Sequence, residues 1–247
     1  MEWKNKIVII TGASTGIGEA TRQLLSKKDA TVYNLDIHPP EDNAGLFLEC
    51  DIRNREAIRR AIATIMDKEG RIDMLFSNAG VHLFATIEET TDTQFDNLIA
   101  INIIGTYCIL QSVLPIMKKQ GKGSIVLMGS DQALVGKASS SAYGLTKGAI
   151  GQLTKSTAID YAKYNIRVNC ICPGTIDTPL LHNAVKHYST KNSVPEEEIY
   201  AGLNTVQPWG RIGKPNEIAE VVAFLLSDEN SFMTGSLVSA DGGYVSQ

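Results

Sequence analysis

Apolar residues along this chain come in short, dense, β-branched bursts, separated by longer stretches in which they recur at helical spacing. Lys6-Ile-Val-Ile-Ile-Thr11 is such a burst, apolar without alternation, as expected of a strand covered on both faces. It ends at a glycine-rich turn. From Ile17 to about Lys28 the period becomes helical, and Thr31 to Asp36 returns to a strand, completing a strand-helix-strand unit. Leu46 to Asp51, Met74 to Asn78, Ser124 to Met128, Ile166 to Cys172 and Leu237 to Ala240 read as further strands separated by helical stretches.

This alternation predicts an α/β fold with a doubly wound, mostly parallel sheet, because right-handed crossovers deposit each helix on one sheet face or the other. No repeat, linker or compositional shift divides the chain, so residues 1–247 are expected to form a single domain. One region breaks the rhythm. Between Ile176 and Gly210 runs a polar stretch punctuated by Pro179, Pro195, Pro208 and Trp209, which reads as a functional loop, a substrate lid over about 176–210.

Composition narrows the classes. Hydrophobic residues make up 43% and charged ones 20%, ordinary values for a globular chain. The net charge is −4 and the basic residues are scattered, so no footprint for nucleic acid or an anionic membrane is expected, and the partner is a small molecule. No eighteen apolar residues run together, which argues against a transmembrane helix, and Met1 to Ile10 lacks the features of an export signal. A cytoplasmic protein is expected. Cys50, Cys108, Cys170 and Cys172 show no CxxC or Cys/His pairing, so reduced thiols and no metal site are expected.

Thr11-Gly-Ala-Ser-Thr-Gly-Ile-Gly18 carries the first candidate chemistry. Between a strand and a helix, Gly12, Gly16 and Gly18 permit a tight turn and close approach of backbone to a pyrophosphate, and the amides around Ser14, Thr15 and Ile17 face the anion. Asp36 closes the next strand eighteen residues after Gly18, where a carboxylate can bind both hydroxyls of an adenosine ribose. A 2′-phosphate would meet its negative charge, and Thr15 offers no cation in compensation. The expected cofactor is NAD.

Taken together, Thr11 to Gly18, Asn78-Ala-Gly80, Ser130, Tyr143-Gly-Leu-Thr-Lys147 and Pro173-Gly174 resemble the motif set of the classical short-chain dehydrogenase/reductase family, over essentially the whole chain. The resemblance implies a Rossmann-type sheet of about seven strands in the order 3-2-1-4-5-6-7 with helices on both faces. It implies that Tyr143 is the acid/base, that Lys147, four residues on, supplies positive charge and binds the nicotinamide ribose, that Ser130 donates to the substrate oxygen, and that Asn102 kinks a helix and holds a relay water. It further assigns Asp51 and Ile52 to adenine, Asn78, Ala79 and Gly80 to the adenosine side, and Pro173, Gly174, Ile176 and Thr178 to the nicotinamide. Ser77 departs from the family's usual Asn. Gly144, Gly148 and Gly151 weaken their helix, and the resemblance implies that they admit a neighbouring subunit in a homotetramer, with the tail Asp241-Gly-Gly-Tyr244 also at an interface.

Candidate substrate contacts are His82, Asp131, Gln132 and, on the lid, His182, His187 and Trp209. The polar pair beside Ser130 points to a hydroxylated substrate. The expected reaction moves a hydride between NAD and a secondary alcohol, a sugar, cyclic diol or small hydroxy acid, giving the ketone or lactone. For a hydroxy acid, Lys137 or a protonated His82 would have to supply the cation, so a polyol or sugar leads. The alternatives are an NADPH-dependent ketoreductase of the 3-oxoacyl type, against which Asp36 argues, and a non-catalytic NAD-sensing protein.

Overall fold

In the computed structural model, which describes residues 3–247, the strands β1 (Ile7–Thr11), β2 (Thr31–Asp36), β3 (Leu46–Glu49), β4 (Met74–Ser77), β5 (Gly123–Met128), β6 (Ile166–Pro173) and β7 (Leu237–Ala240) form one sheet. All pairings are parallel and the order is β3-β2-β1-β4-β5-β6-β7, as the resemblance implied. The unalternating burst in β1 has a direct cause. Ile7 and Ile9 point into one apolar core and Val8 and Ile10 into another, each beneath its own helices. The first core takes side chains from α2 (Arg55–Glu69), α4 (Thr106–Gln120) and α5 (Ser141–Ala162); the second takes them from α1 (Gly16–Lys27) and α8 (Pro215–Leu226). A short α3 (Asp92–Ile99), capped by Thr91 and Gln94, leads into α4 through a π-helical turn at Ala100–Gly105.

One expectation needs its physical reason and another needs correction. Residues 100–117 carry no charged side chain, and the continuous helix Asp92–Gln120 is long and apolar enough to cross a membrane by length and composition. Its apolar residues Cys108, Ile109, Leu110, Val113, Leu114 and Met117 are instead part of the first core, and Asn102, Thr106, Gln111 and Ser112 interrupt the run. The stretch 176–210 is not an irregular loop: α6 (Pro179–Asn192) and α7 (Glu196–Thr205) occupy most of it. Thr178 caps α6 with Pro179 at its start, and Glu196, Glu197 and Glu198 favour the N-terminal turn of α7. These helices bury only Val185 between them, so no apolar period marks them in the sequence.

The glycines of α5 are explained partly within the chain. A Cβ at Gly151 would lie 3.0 Å from Leu237, and one at Gly144 would lie 3.3 Å from the Gln132 side-chain oxygen, whereas Gly148 faces open space.

Candidate active site

The sheet order reverses between β1 and β4, and a cleft of about 590 Å³ opens there along the carboxyl ends of the strands. The glycine-rich turn forms one wall. Gly12 and Gly16 have φ of +66° and +61°, a left-handed backbone that disfavours side chains. A Cβ at Gly18 would collide with the Gly12 carbonyl oxygen and lie 2.5 Å from Asn78 Nδ2. Gly12, Thr15, Gly16 and Ile17 line the cleft, while Ser14 is buried behind them, donating to the His38 carbonyl at 2.5 Å and accepting from Asn34 at 2.9 Å. The Asp36 carboxylate accepts from the Ser14 amide at 3.0 Å and the Ile37 amide at 2.7 Å, which fixes its position at the cleft edge. Arg22, wholly buried, donates to the Ala13 carbonyl at 2.9 Å and pairs with Asp42, bracing the turn from beneath. Nothing in the helical pattern around Arg22 announces that role.

Asp51 and Ile52 also line the cleft, but Asp51 is held by Arg53, whose Nε reaches both carboxylate oxygens at 3.0 Å and holds its acid below the ordinary value. Arg53 is a cleft residue that sequence reasoning missed; its place directly after the Asp51-Ile52 pair was the available signal. Asn78 spends its amide on the Thr11 and Gly12 carbonyls, at 3.1 and 2.7 Å, tying β4 to the turn. Ala79 and Gly80 continue that wall, and Pro173, Gly174, Ile176 and Thr178 stand at the end of β6 in the same cleft. Gly174 has no room for a Cβ against Asp241, and Thr178 packs on Gly16.

Ser130, Tyr143 and Lys147 all line the cleft and all are buried, as is Asn102 beside them. Lys147 Nζ lies 5.5 Å from the centre of the Tyr143 ring and donates to the Met128 carbonyl at 2.8 Å. Burial lowers this amine to about 8 and pushes the Tyr143 phenol above its ordinary value, reinforced by Asp131 and Cys172 and opposed by the Ser130 hydroxyl. Within the protein alone, the phenol is therefore held neutral. Asn102 sits in the π-turn, and its amide donates to the Val81 carbonyl at 3.0 Å and Thr146 at 3.1 Å while its oxygen accepts from the Val81 amide at 2.9 Å. With both amide hydrogens used, this side chain positions the loop after Gly80; a water there would need other donors.

On the substrate side, the His82 ring lies tilted 4.4 Å from that of Tyr143 and edge-on 4.2 Å from that of Phe84, whose ring in turn lies 6.3 Å from Tyr188 of α6. Burial, helped by Lys147 and Lys137, lowers the His82 imidazole to about 4, so it is neutral near pH 7. Asp131, almost fully buried, accepts from the Ser130 hydroxyl at 2.9 Å and from Lys137 at 2.6 Å. Gln132 lines the cleft, with its side-chain oxygen buried and unpartnered. Three expected contacts are not brought here. Trp209 is 72% exposed and does not line the cleft, because the Gly210 turn projects it outward near Gly242. His182 instead pairs with Asp177 at 2.6 Å, and His187 lies outside the lining too.

A dinucleotide cradle and a buried Ser/Tyr/Lys cluster on a doubly wound sheet define a nicotinamide-dependent oxidoreductase architecture. A family model described as Enoyl-(Acyl carrier protein) reductase matches residues 12–245. The chain belongs to the short-chain dehydrogenase/reductase family of oxidoreductases. It is 34% identical to a 3-oxoacyl-[acyl-carrier-protein] reductase of Thermotoga maritima, over 99% of this chain and 100% of the relative. The ligand-free aldohexose dehydrogenase of Thermoplasma acidophilum superposes with a TM-score of 0.93 at 36% identity, over 99% of this chain and 96% of that one. ElxO with NADP bound superposes at 0.88 with 31% identity, over 98% and 99%.

Proposed function

We propose that this protein is an NAD-dependent dehydrogenase that moves a hydride between nicotinamide and the secondary carbinol of a neutral sugar or cyclic diol. The observation that carries the cofactor choice is Asp36, fixed by two backbone amides at the edge of the cleft where an adenosine ribose would lie. An anion there accepts two hydroxyls and repels a 2′-phosphate. The left-handed Gly12 and Gly16 and the filled space at Gly18 fit a pyrophosphate seated on the start of α1. Bound NAD supplies the hydride acceptor and a positive charge.

The chain's own residues manage the proton and the geometry. Tyr143 is the acid/base at the substrate oxygen. Its burial raises the phenol, and the Lys147 ammonium, anchored on the Met128 carbonyl, is the protein charge that favours the phenolate. Ser130 orients the substrate oxygen, and Asn102 holds the segment beside Gly80 that shapes this floor. The similarity to an aldohexose dehydrogenase supports the sugar reading. Self-association through α4 and α5, into a homotetramer, is supported by Tyr107, Leu145 and Ile159, which are exposed on those helices.

The second reading is an NADPH-dependent ketoreductase, favoured by the similarity to a 3-oxoacyl reductase and to an NADP-bound structure. Following the absorbance of reduced nicotinamide with sugars, cyclic diols and hydroxy acids, with NAD and NADP side by side and a 3-oxoacyl thioester run in reverse, separates the two. Turnover of neutral polyols with NAD is expected; preference for NADP overturns the role given to Asp36. Binding of NAD with no turnover of any member would favour a sensor.

A further inference from the structure

The groups around the reacting phenol have more hydrogen-bonding capacity than an acyl chain could use. Lys137 is paired with Asp131 at 2.6 Å, and its Nζ rests 4.1 Å from the centre of the Tyr244 ring. An ammonium has three donors, and Asp131 is the only hydrogen-bond acceptor that Lys137 meets among the described residues. The Lys137 side chain keeps 23% of its surface exposed while lining the cleft, whereas that of Asp131 keeps 3%. His82, packed beside Tyr143, makes ring contacts and no hydrogen bond among the described residues, so its neutral ring offers one donor and one acceptor.

Resting on the dehydrogenase reading above, we infer that Lys137 is a specificity-determining residue that donates a hydrogen bond to a hydroxyl on the carbon next to the reacting carbinol. Two features of the geometry lead there. Asp131 cancels the charge of Lys137, so the pair presents a donor without a net positive field; a substrate carboxylate would have to compete with Asp131 for it. Asp131 also accepts from Ser130 at 2.9 Å, so Ser130, Asp131 and Lys137 form one hydrogen-bonded unit. A substrate oxygen at Ser130 and a neighbouring hydroxyl at Lys137 are thus read by the same unit. Methylenes of an acyl chain would leave Lys137 and His82 facing carbon.

Steady-state kinetics with NAD on a cyclic vicinal diol and the matching mono-ol test this, in native protein, in Lys137→Met and in the double variant Asp131→Asn/Lys137→Met. The double variant leaves no buried carboxylate without its cation, and fluorescence titration with NAD checks that each protein is folded. The native protein is expected to favour the diol by about tenfold or more in kcat/KM, and both variants are expected to lose that preference by about tenfold, chiefly through the KM of the diol, the loss that one hydrogen bond to a charged donor represents. An unchanged preference in both variants overturns the assignment. So does a native protein that oxidises both alcohols equally, or that prefers a hydroxy acid to the diol. A native protein inert toward all of these alcohols but active on a 3-oxoacyl thioester overturns the dehydrogenase reading, and this inference with it.

Discussion

Lys147 stands one helical turn after Tyr143 on α5, its Nζ 5.5 Å from the centre of the phenol ring, yet its hydrogen bond goes to the Met128 carbonyl at the end of β5. The sheet, not the phenol, fixes where the ammonium lies. Burial has pushed both groups toward their neutral forms, the amine to about 8 and the phenol upward. Such a pair costs stability and is explained by function.

Replacing either residue separates these effects. Tyr143→Phe should lower turnover by about 10²-fold or more while leaving NAD affinity by fluorescence titration largely intact. Lys147→Met should also lose turnover, yet unfold at the same or higher denaturant concentration near pH 7. The native amine titrates below its value in the unfolded chain, so at pH 7 the folded state bears the full cost of charging it, about 3 kcal/mol for a shift from 10.5 to about 8. A variant clearly less stable than the native protein would show that Lys147 is a structural tie.

Asp36→Ala removes the anion held by the Ser14 and Ile37 amides. NAD should bind more weakly by about 1 to 3 kcal/mol, the worth of hydrogen bonds to a charged group, and the NAD-to-NADP ratio of kcat/KM should fall. Calorimetric titration with both dinucleotides checks this.

His82 gives the site an acid limb. Its folded value, about 4, lies below the 6.5 of a free imidazole, so between these values the unfolded chain binds more protons and stability falls as the pH falls. Denaturation at stepped pH should show a loss of up to about 3 kcal/mol over this window. In His82→Phe, that part of the slope should disappear.

Gly18→Ala tests the cradle. The added methyl would press on the Gly12 carbonyl and the Asn78 amide, which itself binds the Thr11 and Gly12 carbonyls. A loss of about 1 to 3 kcal/mol in stability, together with loss of measurable NAD binding, is expected from equilibrium unfolding and titration.

Much of this was readable from residue order. β1 and β6 announce themselves because both faces are covered, and Val8 and Ile9 serve different cores. The glycine turn and Tyr143-Lys147 were visible as spacings. α6 and α7 were not, since a helix that buries almost nothing carries no apolar period. Trp209 was expected to reach the substrate from the lid, but the chain turns at Gly210 and leaves it in solvent. Arg22 is wholly buried under the turn, a place that its helical spacing does not mark. The tie from Asp131 to Lys137 spans an irregular segment whose path only tertiary packing sets.

The most direct test of the central claim is transfer of label: a cyclic diol or aldose deuterated at the carbinol carbon is incubated with the protein and NAD, and the nicotinamide is analysed by mass spectrometry. Deuterium should appear in the reduced nicotinamide for the native protein and be absent with Tyr143→Phe; reduced nicotinamide without deuterium, or transfer only to NADP, would contradict the account.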